Sequence, residues 1–175
     1  MSIYIPKPSS DGSMKSKHTH PIRVCASVIT VSTTRTIETD TSGHLICDLL
    51  ERAGITVGYY GIVPDEIERI REILRTLPGQ TNCIIFCGGT GLTKDDYTIE
   101  AVKPFLQKKI DGFGELFRWM SYQEIGTSAI LSRALAGIIN TSAVFCIPGS
   151  PEAARLAVSA LIIPEIMHIL SHAQK

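Results

Sequence analysis

No sign of charge is in excess in this chain: 17 basic residues stand against 17 acidic ones over 175 positions. Without a net field, nothing steers the protein as a whole toward nucleic acid or an anionic membrane surface. No local basic patch with interleaved aromatics takes its place, so neither nucleic acid nor membrane is expected as a partner. Cysteine is sparse and unpatterned. Cys25, Cys47, Cys83, Cys87 and Cys146 are odd in number, sit in apolar runs and form no CxxC pair. That pattern argues for buried thiols in a reducing compartment rather than disulfides or metal ligands. No apolar run reaches the ~18 residues of a membrane span, and the first twenty residues hold no apolar stretch of the secretory kind. The expectation is a soluble, cytoplasmic protein.

What is present suits one folded domain. Apolar residues make up 44% of the chain and charged residues 19%, enough to bury a core without disulfides or a structural metal. Residues 1–20 read as a mobile N-terminal arm and 21–175 as the single domain. His18 and His20 could take a metal ion, but in a Ser/Lys/Pro-rich arm they read as solvated.

Residues 22–31, IRVCASVITV, are β-branched and almost continuously apolar, the pattern of a strand covered on both faces. A polar loop follows, with helix caps offered at 40–42 before HLICDLLERAG, which ends on Gly54. Residues 55–63 read as a second strand. A helix comes next, announced by Pro64 and Asp65, with Ile67, Ile70, Ile73, Leu74 and Leu77 on one face. NCIIFC, 82–87, is the third strand. Residues 98–110 read as a helix kinked or ended near Pro104, and FGELFRWMSYQEIG as another. SAILSRALAGIIN fits helix or strand equally. SAVFCIPG is a strand, and the last segment a long helix started by Pro151 and interrupted near Pro164. Alternating strands and helices predict a three-layer α/β fold: a mostly parallel open sheet with helices on both faces.

Ligands in such sheets bind beyond the carboxyl ends of the strands. Four loops are expected there: residues 32–40, 64–66, 88–96 and 148–151. In the third, Gly88, Gly89 and Gly91 free the backbone N–H groups to approach a ligand, and Thr90 adds a hydroxyl. The loop lacks both the Walker ending and the GxGxxG spacing, so a plain turn explains it as well as an anion site does. Asp95, Asp96 and Asp65 are each explained equally well as helix caps. Taken together, however, acids beside a phosphate-binding loop would repel the phosphate unless a hard cation lay between them. Mg²⁺ is held that way, by one or two carboxylates plus phosphate oxygens and water.

GGTGLTKDD with TIEA, then DGFGELFR, SAILSRALAG and FCIPGSPEA, together with TSGHLICDLLERAG and VPDE, resemble the MoaB/Mog family of molybdenum cofactor biosynthesis proteins over about residues 22–170. The resemblance implies a molybdopterin-binding domain that adenylylates molybdopterin with Mg-ATP and releases pyrophosphate. It implies Asp65 and Asp96 as catalytic, Mg²⁺-holding acids, with Asp95 ranked below them. It also implies Thr30, Ser32, Gly88, Gly89, Thr90, Gly91, Ser132, Gly149 and Ser150 as substrate contacts. Mg²⁺ would be the cofactor, and ATP and molybdopterin the substrates. A homo-trimer or homo-hexamer and handover to later-acting molybdenum cofactor enzymes would follow.

Several residues keep two readings. Arg133 is an anion contact or the partner of an acid at a subunit boundary. Trp119, Phe113, Phe117 and Met120 stack on a pterin or, as helical spacing favours, form a core or subunit contact. Glu115 caps its helix or is catalytic, and His44 and His168 read as structural. Two other functions compete with the transfer: a non-catalytic molybdopterin-binding or carrier protein, and a nucleotide pyrophosphatase.

Overall fold

The computed structural model describes residues 22–174, so the arm assigned to 1–20, with His18 and His20, lies outside it. Six strands form one sheet: β1 (Cys25–Val31), β2 (Thr56–Val63), β3 (Cys83–Cys87), β4 (Lys108–Lys109), β5 (Leu135–Ile139) and β6 (Ser142–Ile147). Their order is β2-β1-β3-β6-β5-β4. β2, β1, β3 and β6 run parallel, while β5 is antiparallel to β6 and β4 antiparallel to β5.

The helices are α1 (Thr41–Arg52), α2 (Ile67–Thr76), α3 (Thr98–Val102), α4 (Asp111–Ile125), α5 (Pro151–Ala157) and α6 (Ile163–Ala173). Strand side chains alternate between two cores. Val28, Ile85 and Phe145 meet Ile46, Leu50, Phe117, Ile162 and Leu170 on one face. Ile29, Ile84 and Phe86 meet Ile70, Leu74 and Val102 on the other. Burial on both faces is why the central strands read as unbroken apolar runs, and the three layers are as expected.

Three local expectations are corrected. The expected helix over 98–110 ends early: after α3 and a 3₁₀ turn at Lys103–Phe105, Lys108 and Lys109 pair with Ile138 and Gly137 as an edge strand. Pro104 stops the helix, but a pairing partner some thirty residues away sets the conformation of the next stretch. In addition, α5 and α6 are not interrupted at Pro164. A π turn, Val158–Ile162, joins them, and Ile163 N–H donates to the Val158 carbonyl, five residues back. The wider turn accommodates a ring that cannot donate to the helix ladder. Finally, α2 begins at Ile67 with no side-chain cap, so Asp65 does not start it.

The segment Pro151–Ala173 is long and apolar enough, by length and composition, to cross a membrane. In this fold Ala154, Leu156, Val158, Ile162, Ile166 and Leu170 are packed into the first core. The thiols of Cys83, Cys87 and Cys146 are buried as expected, Cys25 and Cys47 are only partly buried, and all five cysteines are free.

Candidate active site

Beyond the carboxyl ends of β1, β3 and β6 lies a cleft of ≈ 410 Å³. Strand order reverses here: β1 is followed by its neighbour on one side, and the chain then crosses back to β3 on the other. Of the residues expected to touch substrate, Thr30, Ser32, Gly88, Gly89, Thr90, Gly91, Ser132 and Gly149 line the cleft, as do Asp96 and Arg133. A larger cleft, ≈ 650 Å³, lies at the far edge of the sheet between β4 and α6, lined by apolar and basic residues. It holds neither glycine loop nor carboxylate, so the smaller one is the candidate.

The glycine loop is fastened at several points. Gly88 N–H donates to the Ile147 carbonyl at 3.0 Å, and the Gly89 carbonyl accepts Thr98 N–H at 2.8 Å. Thr98 Oγ1 donates to the Gly88 carbonyl at 2.7 Å. Gly88 has φ +102° and Gly89 φ +60°, in the region that favours glycine. A Cβ on Gly88 would stand 2.5 Å from the Val31 carbonyl oxygen. One on Gly89 would meet Asp65 Oδ2 at 2.6 Å, and one on Gly91 would meet Asp96 Oδ2 at 2.7 Å. The two carboxylates therefore sit against alternate glycines of the same loop, so the glycines that suggest an anion cradle also make room for acids.

Neither acid caps a helix in the way its sequence position allows. Asp65 Oδ1 accepts Tyr97 N–H at 3.0 Å, tying the turn after β2 to the chain entering α3. Asp96 Oδ2 accepts Thr93 N–H at 2.8 Å and Thr93 Oγ1–H at 2.6 Å. Their environments separate them. Burial pushes the Asp65 carboxyl up, against the Tyr97 bond, and the negative charges of Asp96, Asp95 and Glu100 add to the rise. Burial also pulls Asp96 upward, but the bonds from Thr93 and Gly91 and the charge of Arg133 outweigh it, so Asp96 lies below its ordinary value.

Asp65 itself is not part of the cleft lining and stands behind Gly89. Ser150 is outside the lining too: its Oγ accepts Ala153 N–H at 3.2 Å and caps α5. Asp95 is exposed and outside the cleft. Trp119 is exposed on α4 rather than in the core, whereas Phe113 and Phe117 are core residues and Met120 packs against them. Glu115 borders a separate small cleft. His44 Nε2 donates to the Ile37 carbonyl at 2.7 Å, and His168 pairs with Glu165 at the surface.

Two functional candidates escape sequence reasoning. Asp40 is only 1% exposed and lines the cleft. Its Oδ1 accepts Gly43 N–H and its Oδ2 accepts Tyr60 Oη–H at 2.8 Å. In sequence it is indistinguishable from any helix cap. Arg35 lines the cleft from the loop after β1, its one signal being a lone cation in a hydroxyl-rich segment. The Cys87 thiol borders the cleft as well, pushed up to about 12 by burial and by Asp40, and so is not poised as a ligand or nucleophile.

The Thr30 hydroxyl is the cleft's unsatisfied group. Thr30 is 5% exposed, and its Oγ1 finds no hydrogen-bond partner among the described residues. Buried polar atoms are nearly always paired, which makes this hydroxyl a candidate for a ligand or water contact. Among the described residues no three His, Cys, Asp or Glu side chains cluster as a metal cage. Asp65 and Asp96 lie against Gly89 and Gly91 of the same loop, Asp96 inside the cleft lining and Asp65 behind it.

Residues 27–168 match the family described as "Probable molybdopterin binding domain". Molybdenum cofactor biosynthesis protein B of Bacillus subtilis (strain 168) is 47% identical over 162 residues, covering 91% of this chain and 95% of its own. The protein of the same name from Bacillus anthracis is 49% identical over 154 residues, covering 85% and 90%. Among solved structures, the tungsten cofactor synthesizing protein MoaB from Pyrococcus furiosus superposes with a TM-score of 0.80 at 36% identity, covering 89% of this chain and 100% of its own. With sequence match and fold in agreement, the chain belongs to the MoaB/Mog family of molybdenum cofactor biosynthesis proteins, built on the molybdopterin-binding domain.

Proposed function

We propose that the chain acts in molybdenum cofactor biosynthesis as a cytoplasmic molybdopterin adenylyltransferase. Its substrates are molybdopterin and Mg-ATP, and its products adenylyl-molybdopterin and pyrophosphate. The observation that carries this reading is the seating of Asp65 and Asp96 against Gly89 and Gly91 of one loop, at the edge where phosphate groups would lie. A protein that only bound or carried a pterin would need these acids for their backbone and Thr93 contacts alone, and a magnesium role is the further use that favours transfer.

In the transfer, an oxygen of the pterin's terminal phosphate attacks the α-phosphorus of ATP. The new O–P bond forms as the bond to the bridging oxygen breaks, and that oxygen leaves with pyrophosphate. The attacking group is already an anion, so the protein need not supply a strong base. Its work is placement and charge balance. The N–H groups of the glycine loop and the hydroxyls of Thr30, Ser32 and Ser132 hold phosphate or pterin oxygens. Arg35 offers positive charge to the leaving group. Asp65 and Asp96 hold Mg²⁺, directly or through water, and that ion supplies neutralisation of the triphosphate.

Assembly into a homo-trimer or homo-hexamer belongs to the same proposal. Leu116, Trp119, Tyr122 and Ile125 recur every third residue along α4, and all are exposed. Ile130 and Leu131 extend the apolar face to the cleft, where Leu131 is part of the lining. Exposed large apolar side chains concentrated on one element in this way support an interaction surface there.

The deciding experiment measures pyrophosphate release from Mg-ATP with and without molybdopterin. Strict dependence on the pterin is expected. Release without pterin would make the chain a nucleotide pyrophosphatase, and pterin binding with no release would make it a carrier.

A further inference from the structure

The last helix carries metal-binding side chains for which the proposed transfer has no use. Glu165, His168 and His172 lie on α6 at spacings of three and four residues, so they share one face of the helix. The rings of His168 and His172 stand 4.8 Å apart between centroids, at an interplanar angle of 67°. His168 Nδ1 lies 3.2 Å from Glu165 Oε2. Both histidines line the ≈ 650 Å³ cleft between β4 and α6, and Glu165 stands outside that lining.

Two histidines four residues apart on a helix can bring both imidazoles to one transition-metal ion. Imidazole nitrogen binds Zn²⁺ at about 2.0–2.1 Å, so two rings sharing an ion at tetrahedral or right angles have centres roughly 4.5–5.3 Å apart. The separation on α6 falls within that span, and side-chain rotation alone brings both rings to a common ion. Glu165 settles which nitrogen His168 offers. An ionised carboxylate only accepts, so the Nδ1 it meets carries the proton, and Nε2 of the neutral ring keeps its lone pair. A carboxylate behind the far nitrogen of a ligating histidine is the usual outer partner in such sites, fixing tautomer and ring orientation. The stretch HILSH has no acid between its histidines to serve as a general base, so the pair suits holding an ion rather than metal-assisted hydrolysis.

We infer that His168 and His172 form a two-imidazole site for a late first-row divalent ion such as Zn²⁺, with Glu165 orienting His168 and water completing the coordination. Imidazole selects such ions over Mg²⁺, which demands oxygen donors. Lys108 and Lys109 border the same cleft and oppose a divalent charge. With only two protein ligands besides, the affinity is moderate, below that of a closed four-ligand zinc site. The site lies apart from the glycine-loop cleft and does not depend on the adenylyl-transfer reading.

The test is a calorimetric Zn²⁺ titration of the full-length chain, stripped of metal with a chelator. Every sample carries His18→Gln/His20→Gln, which removes the other closely spaced histidine pair in the sequence. One Zn²⁺ per chain is expected to bind, and His168→Gln or His172→Gln should each weaken it by about tenfold or more. Glu165→Gln should weaken it roughly three- to tenfold, at the low end for an outer partner because the pair is exposed. Excess Mg²⁺ should not compete, and nitrogen NMR should show His168 Nε2 rather than Nδ1 taking the ion. All three side chains are exposed, so circular dichroism should find the variants folded alike. No binding, or an affinity indifferent to both histidine substitutions, overturns the inference; in the second case the ion sits elsewhere, as on the partly buried thiols of Cys25 and Cys47. Displacement by Mg²⁺ or ligation through His168 Nδ1 overturns it as well. An unchanged affinity in Glu165→Gln would strike the orienting role of Glu165.

Discussion

Asp65 Oδ1 accepts the backbone N–H of Tyr97 at 3.0 Å, linking the turn after β2 to the entrance of α3 across 32 residues of chain. The same carboxylate is proposed to help hold Mg²⁺, so structural and chemical roles meet in one side chain. Two substitutions separate them. Asp65→Asn retains an oxygen acceptor for Tyr97 and loses the charge, whereas Asp65→Ala loses both. Calorimetry should find Asp65→Asn close to wild type in stability and Asp65→Ala about 1 kcal/mol weaker. Pyrophosphate release should fall in both, on the order of 100-fold. Full turnover in Asp65→Asn would leave Asp65 with the structural role alone.

Acid should act on the two carboxylates in sequence. Asp65 is raised from the ordinary 3.8, so its contribution to stability is complete below 3.8 and is lost as pH rises through the raised value. Asp96 is lowered, so its contribution is present above 3.8 and is lost as pH falls through the depressed value. On acidification Asp65 takes its proton first, while Asp96 is still ionised. The acid limb of kcat/KM should therefore lie above pH 3.8 and move to lower pH as Mg²⁺ is raised, because cation and proton compete for the carboxylate. Denaturant titrations should show Asp96→Asn less stable than wild type at about pH 7, with the gap narrowing toward about pH 3. An acid limb indifferent to Mg²⁺ would remove Asp65 from the metal set.

Two glycines of one loop should respond differently to alanine. At Gly88 the new Cβ meets the Val31 carbonyl, a backbone atom that cannot turn aside, and φ is +102°. Gly88→Ala should cost about 1–3 kcal/mol in stability. At Gly91 φ is ordinary, and the three atoms nearest the new Cβ all belong to the Asp96 carboxylate. Gly91→Ala should fold nearly as well as wild type and lose activity by displacing Asp96. Thermal melts paired with pyrophosphate release distinguish the two, and an active Gly91→Ala would show that Asp96 need not hold its present position.

The legible parts of the fold are those set by burial. Val28, Ile29, Ile84 and Ile85 are apolar whichever face they serve, and that announces strands covered on both sides. The edge strand at Lys108–Lys109 is illegible because two lysines carry no apolar period, and only pairing with β5 makes them a strand. At the site, the strand-loop pattern brings the loops to one edge, while Asp65 and Asp96 are singled out over Asp95 by the family resemblance and not by local pattern. Local patterns do not tell a phosphate contact from a cap: Ser150 and Asp40 have the same kind of local pattern, yet Ser150 caps outside the cleft and Asp40 lines it. Which donor meets which carboxylate depends on chain segments tens of residues apart, as with Tyr97 and Asp65, and no local pattern records that.

The outer face of α4 makes a prediction about assembly. Trp119 is 62% exposed and Ile130 84%. Placing a charge at each, Trp119→Glu with Ile130→Glu, should leave the core intact and, if the proposed trimer or hexamer forms through this face, give a monomer in light scattering after size exclusion. Burying two unpaired carboxylates in an apolar contact costs several kcal/mol. An unchanged mass would move the interface elsewhere.

Thr30 provides the sharpest separation of binding from folding. Its hydroxyl is buried at the cleft with no partner among the described residues, so the free protein already bears the cost of desolvating it. Thr30→Val replaces that hydroxyl with a methyl of similar size. It should leave stability unchanged or raise it by about 1 kcal/mol, the reverse of most core substitutions. If the hydroxyl serves a phosphate or pterin oxygen, ligand affinity should fall by roughly five- to tenfold, the worth of one such hydrogen bond. Melting temperature and molybdopterin affinity, measured on the same preparation, should thus move apart. A variant that melted lower and bound ligand unchanged would mean that the hydroxyl has a partner in the folded chain, and Thr30 would leave the candidate site.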